Sequence, residues 1–108
     1  MNEADIRREL QKTYPRFDFE DLAIRTVIDY FTKVSGVTFH VKWHQLELAG
    51  ITERRTVTVS LLNVTLDKAL RTVLDEFGRG EKIGYEVGDG VITISIQADL
   101  DSNMISLE

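Results

Sequence analysis

The amino-acid sequence predicts an α+β fold: duplicated βαβ-like halves, two amphipathic helices packed on small sheets, and a C-terminal β-hairpin. Three observations predict it. Arg25-Thr26-Val27-Ile28-Asp29-Tyr30-Phe31 returns as Arg71-Thr72-Val73-Leu74-Asp75-Glu76-Phe77, a spacing of 46 residues. Val37, Phe39 and Val41 answer Ile83, Tyr85 and Val87 at that same spacing, whereas Phe17, Phe19, Asp21 and Ile24 answer Val59, Leu61, Asn63 and Leu66 at a spacing of 42. Finally, Gly88-Asp89-Gly90 separates two alternating apolar runs and suits the positive-φ residues of a tight hairpin turn. The four-residue difference between the two spacings is about one helical turn, so it can be absorbed without rotating the apolar face. Val27, Phe31, Val73 and Phe77 are expected in one core, with the two helices side by side.

Each element has its own signal. Ile6 and Leu10, at i,i+4 within a polar stretch, predict a short N-terminal helix ended by Pro15. Phe17 and Phe19 alternate with Arg16, Asp18 and Glu20, a half-buried strand. Ile24, Val27, Ile28, Phe31 and Val34 make a helical stripe, with Glu20-Asp21 as its acidic start and Gly36 suited to end it. After the strand Val37–Val41, Trp43 to Leu48 reads as one or two helical turns ended by Gly50, with Trp43, Leu46 and Leu48 directed inward. In the second copy, Val57, Val59 and Leu61 share one face of a strand. Thr65 is placed to cap a helix whose apolar residues Leu66, Ala69, Leu70, Val73, Leu74 and Phe77 form a single stripe. Gly78-Arg79-Gly80-Glu81-Lys82 reads as a C-cap plus turn, and the hairpin follows. After Gln97 periodicity is lost, predicting a frayed tail.

Composition bounds the function. A chain of 108 residues forms one domain with a core of its own, and 43% hydrophobic with 29% charged residues is ordinary for a globular protein. No apolar run approaches the ~20 residues that span a bilayer. The start, Met1-Asn2-Glu3-Ala4-Asp5, has no export signal. A net charge of −5 argues against nucleic acid, whose affinity comes from neutralising phosphates with Lys and Arg. The absence of cysteine excludes disulfides and thiolate metal sites. The terminal Leu107-Glu108 resembles a cloning-site remnant, so the natural protein is expected to be longer.

The run Phe17–Ile96 resembles the short N-terminal domain shared by secretins and TonB-dependent transducers, the STN domain. The half-motif that carries the resemblance is an alternating strand, an Asp or Asn, an apolar residue, any residue, then Leu or Ile opening a helix. Asp21-Leu22-Ala23-Ile24 and Asn63-Val64-Thr65-Leu66 both fit. The aromatic strand, Gly-Asp-Gly turn and Ile-rich strand at the end fit too. The segment Trp43–Ile51 between the halves is similar to that in copies from large bacterial envelope proteins. The resemblance implies residues 1–15 as an N-terminal helix or linker, 16–97 as the STN-like domain and 98–108 as a linker stub. It also implies a periplasmic module that docks onto envelope or secretion proteins or onto neighbouring domains of its own chain, and it brings no catalytic residue. Within these 108 residues there is no secretin ring region, barrel or plug.

The individual residues with chemical potential favour the same class. His40 and His44 are spaced i,i+4, but that spacing converges on a metal only on a helix, and His40 lies in a strand pattern. Asp99, Asp101 and Asn103 alternate like the start of a calcium loop but lack its Gly and terminal Glu. The Gly78–Lys82 glycines lack phosphate-loop spacing. Asn63-Val64-Thr65 is formally a glycosylation sequon, accounted for by a polar residue and a helix cap. No nucleophile–base pair is legible. The sequence therefore predicts a non-enzymatic interaction or assembly module with no catalytic, metal or cofactor residues and no nucleic-acid partner, able to form a homo-oligomer. Its candidate interaction surface is Trp43, Arg54, Arg55, Arg79 and Lys82. The alternative is a module binding an envelope polymer or small molecule, which a pocket lined by Trp43 and Tyr85 together would favour.

Overall fold

The computed structural model describes residues 1–105, with side chains through Asp101. Its elements are α1 (Glu3–Leu10), β1 (Thr13–Ala23), α2 (Ile24–Ser35), β2 (Thr38–Val41), α3 (Trp43–Leu48), β3 (Thr56–Thr65), α4 (Leu66–Gly78), β4 (Ile83–Gly88), β5 (Val91–Ile96) and α5 (Gln97–Ile105). The fold is α+β, and the order α-β-α-β occurs twice before β5 and α5 close the chain. The repeat is thus longer than its sequence motif: α1 and α3 occupy the same place in their halves, and each buries one residue completely, Ile6 and Leu46.

The halves meet across two sheets. β1 and β3 form an antiparallel two-stranded ribbon; β5 lies between β2, which is parallel to it, and β4, which is antiparallel. Asp18 pairs with Ser60, its own counterpart at the spacing of 42. In an antiparallel duplicate that coincidence marks a pseudo-twofold axis through this pair. The backbone repeats as well: Asp21 (φ 50°) and Asn63 (φ 52°) are both left-handed. Asp and Asn tolerate that region better than other non-glycine residues. The repeated Asp/Asn is therefore the kink that turns each ribbon strand into its helix.

The core lies between the sheets. Val27, Phe31, Val73 and Phe77 are all at or below 1% exposure and belong to one cluster. Phe31 reaches both sheets, packing edge-on against Phe17 (5.4 Å) and Phe19 (5.7 Å) of the ribbon and tilted against Phe39 of β2 (6.3 Å). Asn2 caps α1 in a reciprocal box with Asp5, Thr65 caps α4 by accepting from Lys68 N (3.1 Å), and Gly36 (φ 76°) ends α2. Asp89 (φ 53°) and Gly90 (φ 78°) form the two-residue tip of the β4–β5 hairpin, both at the positive φ that such a turn demands.

Several expectations need correction. The four extra residues of the second copy do not make a helical turn: one lies in α4, and three lengthen the loop Arg79–Lys82 relative to the single Gly36. Asp21 does not start a helix but sits at a bulge in β1, donating its N–H to Thr58 Oγ1 (2.9 Å) and accepting from Thr56 Oγ1 (2.5 Å). Leu48 points outward and is 69% exposed. The left-handed residue ending α4 is Arg79; Gly78 stays helical, and its glycine serves close packing, since a Cβ there would lie 3.3 Å from Ile83 Cδ1. The tail after Gln97 is helical: Leu100 is buried, and Asp99 accepts from the fully buried Ser95 (2.9 Å) and from Lys42 (3.2 Å). Among the described side chains of α5 only Leu100 is buried, which leaves little periodicity to read. Leu107-Glu108 lie outside the described residues, as does the side chain of Asn103.

Candidate docking surface

The repeated heptapeptide begins with arginine, and both arginines build the same device. Arg25 of α2 lies over the Trp43 ring, 4.9 Å from its centroid, and is also held by Glu53 through Nε (3.0 Å) and Nη2 (2.5 Å). Arg71 of α4 lies over the Tyr85 ring at 5.1 Å and is held by Asp67 (2.9 Å). Each device borders a groove between a helix and an outer strand of the three-stranded sheet. The first groove, about 380 Å³, is lined by Arg25, Asp29, Phe39, His40, Val41 and Trp43. The second, about 610 Å³, is lined by Asp67, Arg71, Tyr85 and Val87, with Arg7 and Leu10 of α1 on its far side. α3 and α1 therefore stand at equivalent grooves, as their places in the repeat require.

The two grooves differ in electrostatics. The Tyr85 hydroxyl donates to Asp67 in the second. Burial, and then that carboxylate, push the Tyr85 hydroxyl up to about 12. It stays a neutral donor that ties β4 to the first turn of α4. In the first groove Phe39 stands at the corresponding position, so there is no such tie, and the exposed His40 and half-buried Trp43 form the rim.

The residues predicted from sequence fall into three settings. Trp43 is half-buried against the core and lines the first groove. Arg55 is committed to the fold: Nη1 donates to Phe77 O (2.8 Å) and Gly78 O (3.2 Å), and Nη2 to Gly50 O (3.4 Å), satisfying carbonyls at the end of α4. Arg54 beside it is exposed, and Arg79 is exposed while donating to Thr56 O (3.3 Å). Arg54, Arg55 and Arg79 thus gather where β3 begins and α4 ends. The ion pair of Arg25 with Glu53, next in sequence to Arg54, connects this end to Trp43. Lys82 is set apart, in a shallow depression with Asp75, Gly80 and Glu81. Trp43 and Tyr85 line different grooves. His40 lies on β2 and His44 in α3, both exposed. Sequence reasoning missed Arg25, although its return at Arg71 was the available signal.

The geometry defines a duplicated α+β domain whose two sheets end on strands paired along one side only. No protein-family model, curated protein or solved structure matches the chain. Among the described residues, no helix is long and apolar enough to cross a membrane.

Proposed function

We propose that the chain is a non-enzymatic docking or assembly module of the STN type, working in the periplasm of a bacterial envelope and bound by envelope proteins or neighbouring domains. One observation carries the reading: β1, β2, β3 and β4 each have a ladder partner on only one side. Such edges offer backbone donors and acceptors to an added strand, while flanking side chains select which strand is added. The resemblance of Asp21–Ile24 and Asn63–Leu66 to the STN half-motif supports the same class, and the left-handed kink gives that motif a structural purpose. The groove at Arg25 and Trp43 beside β2 is the surface we assign to a foreign partner.

The test is capture from a periplasmic extract with the chain as bait, against the Trp43→Ala variant. Wild-type protein recovers envelope proteins that the variant loses, and amide shifts on adding the recovered partner map to Thr38–Leu48. Capture undiminished by Trp43→Ala, or thermal stabilisation by small metabolites with no protein recovered, would overturn the reading.

A further inference from the structure

A third groove belongs to neither arginine device. It runs between β1 and α2, has a volume of about 380 Å³, and is lined by Arg16, Asp18, Phe19, Leu22, Thr26 and Tyr30. Phe19 is buried, while Tyr30 is 41% exposed and packs edge-on against Phe17 (6.2 Å) and Phe19 (5.6 Å). β1 spans 11 residues, with Pro15, which has no N–H to donate, near its start instead of at the end of α1, and among the described residues β3 is its only ladder partner. A long edge beside an exposed aromatic wall is suited to receive another strand.

The charges on this strand indicate which strand that is. Arg16, Asp18 and Glu20 are exposed on one face of β1. An antiparallel second copy of β1 that keeps its faces aligned must place a twofold axis on a residue. Centring on Arg16 opposes two arginines, centring on Asp18 opposes two aspartates, and centring on Phe19 opposes Asp18 to the partner's Glu20. Centring on Asp18 also sets Arg16 against the partner's Glu20 but keeps two aspartates opposed at the axis. Of these four registers only centring on Phe17 pairs opposite charges, Arg16 with the partner's Asp18 on both sides, without opposing like ones. Tyr30, packed against Phe17, is then close to the axis. The equivalent positions on β3 are Thr58, Ser60 and Leu62, which have no charges to fix a register.

We infer that β1 is a self-association edge: two copies of the chain pair antiparallel through β1 about Phe17, joining their ribbons into a four-stranded sheet β3–β1–β1–β3. The occupant is a second copy because the charge pattern is complementary to itself. The inference goes beyond the proposed docking at Trp43, which uses a different sheet.

Sedimentation equilibrium of the full chain tests it. A monomer–dimer equilibrium is expected below about 1 mM. Arg16→Asp and Asp18→Arg should each weaken dimerisation about tenfold, because each places like charges across the axis. An equimolar mixture of the two variants should associate again, since Arg16→Asp presents two aspartates to the two arginines of Asp18→Arg. Both positions are exposed, and an unchanged far-UV spectrum verifies that each variant folds. A chain monomeric at about 1 mM, a dimer indifferent to the single changes, or a mixture that stays monomeric would overturn the inference. Self-association is read without any partner, so its failure leaves docking at Trp43 standing. Loss of partner capture with the dimer intact would do the reverse.

Discussion

The two halves share a plan and differ in what fills it. The first is aromatic: Phe17, Phe19, Tyr30, Phe31 and Phe39 form a connected set of ring contacts. At the positions that echo them in the sequence the second has Val59, Leu61, Glu76, Phe77 and Tyr85. The halves also place their exposed apolar residues differently: the second leaves Leu48 (69%) and Leu62 (64%) uncovered on α3 and β3. Tyr30 and Val34 on α2 are exposed at 41% and 37%, whereas α4 contributes no large exposed apolar residue. Topology was held constant by the kinks and the helix stripes while side chains diverged. The half with the aromatic surface is the half that borders both the Trp43 groove and the β1 edge.

That contrast can be broken experimentally, and the largest effect should come from the core. Phe31→Ala is expected to cost about 4 kcal/mol, since it removes a fully buried ring and its pairings with both sheets. Phe77→Ala, at 1% exposure with no comparable ring set, should cost about 3 kcal/mol. Urea midpoints that rank the two the other way would show the aromatic set to be dispensable.

The kinks come next. Asn63→Val should cost about 1–2 kcal/mol, because a β-branched residue resists positive φ. Asp21→Val should cost more, about 2–3 kcal/mol, since it also removes the carboxylate that accepts from Thr56. Equal losses would mean that the bulge hydrogen bonds contribute nothing. Gly90→Val in the hairpin, by the same backbone argument, should cost about 1 kcal/mol or more.

Tyr85→Phe is expected to cost about 1–2 kcal/mol at neutral pH through loss of the bond to Asp67. The hydroxyl titrates near 10 in the unfolded chain and at about 12 in the fold. Its contribution is therefore complete below pH 10 and is lost as pH rises through about 12. Between those limits the wild type should lose stability faster than Tyr85→Phe, and parallel curves would count against the tie. Phe39→Ala in the first half should show no such pH dependence. The smallest change is a gain: Arg79→Gly relieves a left-handed residue (φ 49°) at the end of α4 and should stabilise by about 0.5 kcal/mol, less any loss of the bond to Thr56.

Much of the fold was legible because duplication states each signal twice. The stripes of α2 and α4, the Thr65 cap and the Asp89-Gly90 tip follow from rules that act within a few residues. What escaped depends on distant partners. Arg55 reads as a free surface charge until α4 ends beside it, and Asp99 reads as tail until β5 presents Ser95. The echo at a spacing of 46 was misleading inside the helices, since Arg25 is the second residue of α2 and Arg71 the sixth of α4. Both positions face an aromatic ring, so the arginines correspond in role although their helix positions differ. The candidate surface was legible at Trp43 but not at β1, where only the opened edge and the exposed Tyr30 give Arg16 and Asp18 a use.

The last strand has a consequence for how the chain is made. β5 is the middle of its sheet, and Thr38 of β2 pairs with Val91, which is synthesised 53 residues later. β4 and β2 both wait for that strand, so on the ribosome the first half can shape its helix and aromatic cluster but cannot close its second strand. Contacts that distant slow folding and leave edges open in the meantime. A nascent chain stalled before Val91 should therefore remain protease-sensitive at Thr38–Val41, and acquire protection there only once Ile94 has emerged.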